Sequence, residues 1–103
     1  MEKHGDLVQR SLRVVGYKWT LLIVRELIEG PRRFTQIAYA LPRANQKMIT
    51  ARLRELEAAG LVSRVIYAEV PSRVEYSLTP RGRALRPVID ALASWGEGLP
   101  ETG

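Results

Sequence analysis

The sequence predicts a mainly α-helical fold with one small β-hairpin, which places it in the α+β class. Apolar residues recur at helical spacing through most of the chain, and a stretch after residue 60 changes to β-branched, aromatic and alternating residues. Glycine and proline fall between these segments, where they end helices and form turns. The chain has 103 residues, enough for one hydrophobic core and too few for two. We therefore interpret residues 1–103 as a single domain.

The first two predicted helices span residues 6–15 and 18–28. Apolar residues of the first lie on one helical face, at i, i+4 and i+7: Val8, Leu12 and Val15. The second is apolar on nearly every side, which is typical of a helix at the centre of a core. Gly30 and Pro31 follow it, and this order is a common end for a helix.

The next two predicted helices, residues 35–41 and 46–59, are separated by a tight turn. Thr35 and Asn45 are their predicted N-caps, because both side chains can accept hydrogen bonds from the first exposed amides of a helix. Gly60 is expected to end the second. Two helices joined so tightly are typical of a helix-turn-helix, whose second helix, here residues 46–59, enters the major groove of DNA.

Residues 61–70 and 74–78 are predicted to pair as a hairpin, with a tip at residues 68–74. Behind a helix-turn-helix such a hairpin is the wing. The domain is therefore predicted to be a winged helix-turn-helix with a DNA-binding core over residues 12–79.

The last predicted helix covers residues 80–97. Thr79 is its predicted N-cap, and Pro80 suits its first position. Pro87 either kinks this helix or starts its main part after a short first turn.

The first and last helices are additional to a winged helix-turn-helix core, and their apolar faces need a cover. We expect the same helices of a second subunit to provide it, which predicts a homodimer. The predicted interface residues are Val8, Leu12, Val15, Leu85, Val88, Ile89, Leu92 and Trp95. An alternative role for Trp19 and Trp95 is to line a pocket for an unknown small-molecule effector. Aromatic residues at helical spacing, however, usually fill a core.

The distribution of charge points to a polyanion. The formal net charge is +5, and no acidic residue lies between Glu29 and Glu55. That stretch holds six basic residues, and these are Arg32, Arg33, Arg43, Lys47, Arg52 and Arg54. Ordinary solvated surfaces mix both signs of charge, so the segment favours contact with DNA.

The predicted DNA contacts follow from this charge and from helical geometry. At about 100° per residue, the side of the fourth helix opposite the core residue Ile49 carries cations and small polar side chains. These groups can reach base edges or phosphates, and the arginines in turns and at the wing tip suit phosphates. The predicted contact residues are Arg33, Arg43, Asn45, Gln46, Lys47, Thr50, Arg54 and Arg73.

Composition argues against several other classes of protein. The sequence has no cysteine and one histidine, His4, and it shows no glycine-rich phosphate loop. We therefore predict no enzymatic activity, no catalytic residues, no metal site and no cofactor. No apolar run approaches the roughly 18 residues of a membrane span, and the N-terminus is polar, unlike a signal peptide. A cytoplasmic, nucleoid-associated protein is expected.

Several motifs in register resemble one family. Gly16-Tyr17-Lys18-Trp19, with Gly30 and Arg33-Phe34 downstream, is similar to the "GKW" helix and "G-x-x-RF" turn of the HxlR-type winged helix regulators. Later segments agree in order and spacing, and these are residues 47–57, 60–62, 74–79 and 85–95. The resemblance covers about residues 12–95. It implies a bacterial or archaeal dimeric regulator, paired through its terminal helices, with Gln46, Lys47, Thr50 and Arg54 on the recognition helix and Arg73 on the wing.

Two departures limit what the resemblance implies. Many members carry a cysteine ahead of the "GKW" helix that senses electrophiles or oxidants, whereas residues 6–15 contain none. That sensing mechanism is therefore not expected here. The family also tends to have Ile-Ser before the recognition helix, where this chain has Ala44-Asn45. Asn45 should still cap the helix, with a modest change in local phosphate contact.

The sequence is consistent with two functions for the winged helix-turn-helix. The first is binding of a pseudo-palindromic operator by a homodimer whose recognition helices lie about 34–36 Å apart. The alternative is a winged-helix module for protein–protein interaction, in which the basic face is incidental. The two differ in salt dependence, because only the first predicts strongly salt-dependent DNA affinity.

Overall fold

The computed structural model describes residues 3–101, so the outermost residues of the predicted domain, 1–2 and 102–103, lie outside the described residues. In this part of the chain four helices are followed by a two-stranded antiparallel sheet and two further helices. Their bounds are α1 His4–Val15, α2 Thr20–Leu27, α3 Phe34–Ala40, α4 Gln46–Ala58, β1 Val62–Tyr67, β2 Arg73–Leu78, α5 Pro80–Arg83 and α6 Arg86–Gly96. The predicted fold class is confirmed.

The predicted recognition helix is α4, and both of its ends form where the sequence indicates. At its start, the Asn45 side-chain oxygen accepts a hydrogen bond of 2.7 Å from the backbone N–H of Met48. At its end, Gly60 has φ +77°, a left-handed conformation that glycine adopts readily. The Leu61 N–H then donates to the Leu56 carbonyl at 2.9 Å and closes the helix in a Schellman motif.

Thr35 is not the N-cap of α3, and that prediction is wrong by two residues. The helix begins at Phe34, with Arg33 in the N-cap position. The reason is Gln36, whose side-chain oxygen reaches back and accepts the Arg33 backbone N–H at 2.9 Å. Such a contact from the third residue of a helix stabilises an earlier start.

α2 begins at Thr20 and not at residue 18 as the sequence predicts. The cause is Trp19, whose φ of +78° lies in the left-handed region, where residues other than glycine are uncommon. A residue in that conformation does not belong to a right-handed helix. The Trp19 side chain packs against the core, so the connection between α1 and α2 is held against the rest of the domain.

β1 and β2 form the predicted wing, an antiparallel hairpin. β1 stops at Tyr67 and not at residue 70, because the Glu69 N–H donates to the Tyr67 carbonyl at 2.9 Å and turns the chain. Residues 68–72 therefore form the tip, a shorter segment than the predicted 68–74.

The base of the wing is fixed to the helical part of the domain. Val62 and Leu78 pair there, and both side chains are buried in the core. Arg32, in the loop after α2, exchanges two backbone hydrogen bonds of 2.9 and 2.8 Å with Tyr76. The residues of the tip, in contrast, are all exposed.

The last predicted helix, residues 80–97, is divided into α5, a single turn, and α6. Of the two roles considered for Pro87, the observed one is a start of the main helix after a short first turn. Thr79 is the N-cap of α5: its hydroxyl accepts the Gly82 N–H at 3.1 Å and donates to the Gly60 carbonyl at 2.7 Å. The second bond ties α5 to the end of α4.

The hydrophobic core lies between α2, α3, α4 and the base of the wing. Its most buried side chains are Ile23, Val24, Leu27, Ile37, Ile49, Leu53, Leu56, Val62 and Leu78. Neither α1 nor α6 has a buried residue. The Cα radius of gyration is 15.0 Å, whereas a compact domain of this length has one of about 13 Å. The terminal helices therefore extend beyond the compact part of the domain.

Candidate nucleic-acid interface

The outer face of α4 is the side that points away from the core, and we define it by Lys47, Thr50, Ala51 and Arg54. Ile49, on the opposite side, is fully buried. Lys47 and Arg54 lie seven residues apart, which is nearly two helical turns, so both project from one stripe. They are exposed, whereas Thr50 and Ala51 are half-buried. The outer face thus offers two long cations with small side chains between them.

The two cations of this face are free of partners within the described part of the chain. Neither Lys47 nor Arg54 has a carboxylate within 4.0 Å there. The first turn of α4 also contains no acidic residue. Because a helix N-terminus itself favours anions, Lys47 adds its charge to a position that already suits a phosphate.

Three further predicted contacts lie beside the first turn of α4, and all are exposed. Arg43 is in the turn between α3 and α4, and Gln46 is the first residue of α4. Asn45 uses its side-chain oxygen for the cap, which leaves its side-chain N–H groups as donors. Arg33 is also exposed, but it lies at the opposite end of α3, one helix length from the turn.

Two of the six basic residues in the stretch without carboxylates are engaged within the chain. The Arg52 side chain is 14% exposed and donates to the Glu55 carboxylate at 3.1 Å. Arg32 is half-buried, and its guanidinium donates to the Pro31 carbonyl at 3.1 Å. The bond of Arg32 to a neutral carbonyl leaves its charge in place, whereas Glu55 balances the charge of Arg52, so the charge count of the sequence overstates the positive charge of this region by that one arginine.

The wing arginine is engaged as well. Arg73 begins β2, and its guanidinium lies 3.2 Å from the Glu69 carboxylate, 3.9 Å from that of Glu75 and 4.1 Å from the centroid of the Tyr67 ring. Its side chain is 30% exposed. The sequence carried a signal for this arrangement, because residues 73 and 75 share a face of the strand and two acidic residues flank Arg73.

A second basic cluster was not predicted. Arg81, Arg83 and Arg86 are exposed, and none has a carboxylate within 4.0 Å in residues 3–101. Arg81 and Arg83 follow Thr79, which is hydrogen-bonded to Gly60, so these two lie near the C-terminal end of α4. Arg86 instead lines a cleft with Glu26, Glu29 and Asp90 beside the end of α2. The signal in the sequence is a second stretch without acidic residues, 76–89.

The apolar faces of the terminal helices meet in a groove of about 310 Å³. Five of the predicted interface residues line it: Val8, Leu12, Val15, Val88 and Leu92. Leu85 and Ile89 instead pack partly against the core of the same chain. Trp95 lies outside the groove and is 69% exposed.

Neither a metal site nor a membrane span is found in residues 3–101. No three His, Cys, Asp or Glu side chains in that range are placed to share a metal ion. No helix there combines the length and the apolar character needed to cross a bilayer.

Comparison with known proteins agrees with this architecture. The model of the HxlR-like helix-turn-helix family matches residues 14–102. An uncharacterised HTH-type transcriptional regulator of Methanothermobacter thermautotrophicus is 43% identical over 90 residues, which are 87% of this chain and 69% of that relative.

Solved structures share the fold over nearly the whole chain. The HTH-type transcriptional regulator YtcD, known from Bacillus subtilis, superposes with a TM-score of 0.85 at 42% identity and covers 88% of this chain and 93% of its own. The redox regulator HypR in its oxidised form has a TM-score of 0.87 at 41% identity, over 92% of this chain and 98% of its own. The winged helix-turn-helix architecture is thereby confirmed.

Proposed function

The chain belongs to the HxlR-like helix-turn-helix family of transcriptional regulators, and on that premise we propose that it binds a pseudo-palindromic operator as a homodimer. The observation that carries the proposal is the outer face of α4, with its two cations free of carboxylate partners. DNA presents a continuous row of phosphates and, in the major groove, guanine acceptors that suit lysine and arginine. We expect α4 to lie in that groove.

Each predicted contact has a role in this arrangement. Lys47 and Arg54 contact guanines or phosphates, and Gln46 and Thr50 contact base edges or phosphates. The residues around the turn and at the start of α3 hold phosphates and fix the register of the protein on the duplex, and these are Arg33, Arg43 and Asn45. Arg73 approaches the backbone from the wing, and this contact requires it to exchange a carboxylate for a phosphate.

The homodimer is supported by the terminal helices. Their apolar faces are exposed in the single chain, and burial of apolar surface contributes a favourable hydrophobic term of about 25 cal/mol per Å², which is opposed by the entropy cost of association. Pairing of α1 and α6 with the same helices of a second copy covers the groove and the exposed Trp95. A palindromic site then requires the two copies of α4 to be about 34–36 Å apart.

Regulation through a thiol is not part of the proposal. HypR is named a redox regulator, but the 103 residues of this chain include no cysteine. A small-molecule effector would bind outside the groove between α1 and α6, because the second subunit covers that groove and neither Trp19 nor Trp95, the predicted lining of an effector pocket, lies in it. We also propose that the chain has no enzymatic role and acts in the cytoplasm on the nucleoid.

The second candidate function is protein–protein interaction through the wing. Two properties of the wing favour it: Ile66 and Val70 are exposed, and Arg73 is paired with carboxylates. A charge-balanced surface with exposed apolar side chains suits a protein partner better than a phosphate backbone.

The proposal is tested by the binding of the chain to random-sequence duplex DNA, measured by fluorescence anisotropy between 50 and about 200 mM salt. If Arg33, Arg43, Lys47 and Arg54 of both subunits neutralise about eight phosphates, log affinity falls with log salt at a slope near −7. In a Lys47→Ala, Arg54→Ala double variant, a dimer loses up to four contacts, and the slope becomes about −4. The absence of salt-dependent binding in the wild type would favour the protein-partner function.

A matched control separates the position of the charge from its amount. The Arg81→Ala, Arg83→Ala variant removes the same charge from the cluster at the other end of α4. We expect it to bind DNA as the wild type does. An equal loss in both double variants would contradict a specific role for the outer face of α4.

A further inference from the structure

Arg52 is the most enclosed cation on α4. Besides the bond to Glu55, its guanidinium lies 3.5 Å from the sulfur of Met48 and 4.8 Å from the centroid of the Tyr17 ring. Its Nε is buried and has no hydrogen-bond partner in the described residues. A buried N–H without a hydrogen-bond partner is destabilising. The contacts of the guanidinium with Glu55, Met48 and Tyr17 therefore hold the arginine in place although its Nε–H stays unbonded in this part of the chain.

Tyr17 belongs to the connection between α1 and α2, not to the helix-turn-helix. Its backbone carbonyl accepts the Thr20 N–H at 3.2 Å, and the neighbouring Trp19 packs into the core. Tyr17 also lines a cleft between this connection and the C-terminal half of α4, together with Arg13, Val14, Glu55, Ala58 and Ala59. The guanidinium of Arg52 therefore stacks α4 against the segment that carries α1.

Arg52 projects from the side of α4 away from the outer face, so it does not reach the phosphates that Lys47 and Arg54 reach. At about 100° per residue it lies roughly 160° around the helix from Arg54 and 140° from Lys47. Its charge is balanced by Glu55 on the same helix. A direct role in neutralising DNA is therefore not supported for this residue.

We propose that Arg52 is a positioning residue for DNA recognition, which fixes α4 relative to α1 through the ring of Tyr17. The inference rests on the proposed function, because it concerns how two recognition helices of a dimer are kept at the spacing of successive major grooves. α1 carries part of the proposed dimer interface, so the rotation of α4 against α1 sets that spacing. Specific binding depends on the spacing, whereas electrostatic binding to random DNA does not.

The experiment compares two quantities in the full chain. The first is the ratio of affinities for a duplex selected by the wild type from a random pool and for random-sequence duplex. The second is the slope of log affinity against log salt on random duplex. The variants are Arg52→Met, which keeps an unbranched apolar stem, Tyr17→Leu and Tyr17→Phe, with Arg54→Met as the matched control on the outer face.

We expect Arg52→Met and Tyr17→Leu each to lower the affinity ratio about tenfold, the size of a partly desolvated cation–π contact. Together they should lower it little further, because both remove the same interaction. Tyr17→Phe keeps the ring and should keep the ratio. The salt slope should stay unchanged in these variants, whereas Arg54→Met should make it shallower by about 2, since a dimer loses two contacts.

The outcomes distinguish this inference from the proposed function. If Arg52→Met lowers the salt slope as Arg54→Met does, Arg52 is a phosphate ligand and the inference is overturned. The inference is also overturned if Arg52→Met and Tyr17→Leu fold and keep the affinity ratio of the wild type. A merely structural role would weaken binding to the selected duplex and to random duplex equally, and the ratio would then stay unchanged. If Arg52→Met does not fold, the half-exposed Tyr17 provides the same test through Tyr17→Leu. A wild type without salt-dependent binding removes the proposed function and, with it, the inference.

Discussion

The outer face of α4 and the wing both bring arginine to a surface predicted to face DNA, yet they differ in what those arginines contact. Arg54 and Lys47 have no carboxylate within 4.0 Å in the described residues, whereas Arg73 lies within that distance of Glu69 and Glu75. A phosphate approaching α4 meets a free charge, and one approaching the wing must displace a carboxylate. The contacts that its cations already make, and not their number, therefore decide how much charge a surface offers.

The contrast is one of degree, because exposed ion pairs are weak. A pair at the surface is worth about 0–1 kcal/mol, and stacking on an aromatic ring adds about 0.5–1 kcal/mol at an exposed site. These amounts are smaller than the contribution of a well-placed contact to DNA, about 1–3 kcal/mol. The wing can therefore still bind DNA, but with a smaller net gain than α4.

The largest expected effect comes from reversing charge in the two regions. We expect Arg54→Glu to weaken binding to random duplex DNA at least 100-fold, about 2.7 kcal/mol, because each subunit of a dimer loses a contact and gains a repulsion. Arg73→Glu should weaken it less than about tenfold, since the arginine is already paired. Anisotropy titrations at one salt concentration measure both. Equal losses would contradict the difference between the two regions.

A gain of binding is expected from Glu69→Gln. Removal of the nearer of the two carboxylates beside Arg73 leaves only the weaker contact with Glu75, so affinity for random duplex should rise about fivefold and the salt slope should become steeper. The same substitution in an Arg73→Gln background removes the same negative charge with no arginine to release. If Glu69→Gln raises affinity equally in both backgrounds, the effect is general repulsion and not release of Arg73.

The smallest expected effect on binding comes from Asn45→Ala. Loss of the cap to the Met48 N–H should lower the free energy of unfolding by about 1 kcal/mol and the Tm by about 5 °C. DNA affinity should fall only about threefold, with the salt slope unchanged, because Asn45 carries no charge. Thermal unfolding and anisotropy test the two statements, and Asn45→Ser, which retains a capping oxygen, serves as the control.

The fold was largely predictable because its signals are local. Asn45 and Gly60 fix the ends of α4 through contacts with residues three to five positions away, and Thr79 does the same for α5. The errors arise where a neighbour changes the local preference. Gln36 reaches back to start α3 early, and Trp19 takes a left-handed backbone that no pattern of apolar spacing predicts.

The site was predictable on α4 and less so elsewhere. Helical geometry at about 100° per residue places Lys47 and Arg54 opposite Ile49, and it places Arg52 on the inner side of α4. It does not predict that Arg52 contacts Tyr17, because Tyr17 is distant in sequence. The pairing of Arg73 with Tyr67 depends on the register of the hairpin, which turn residues only roughly determine. Local geometry thus predicted which residues face outward, and tertiary contacts decide which of these are free.

The backbone bridge between Arg32 and Tyr76 gives the wing two parts with different accessibility to solvent. Both amides at the base are hydrogen-bonded across elements, at 2.9 and 2.8 Å, whereas residues 68–72 lie exposed beyond the paired strands. Amide hydrogens at the base should therefore exchange with deuterated solvent slowly, and those of the tip quickly. Slower exchange at the tip after addition of duplex DNA would mark engagement of the wing, independently of any charge substitution.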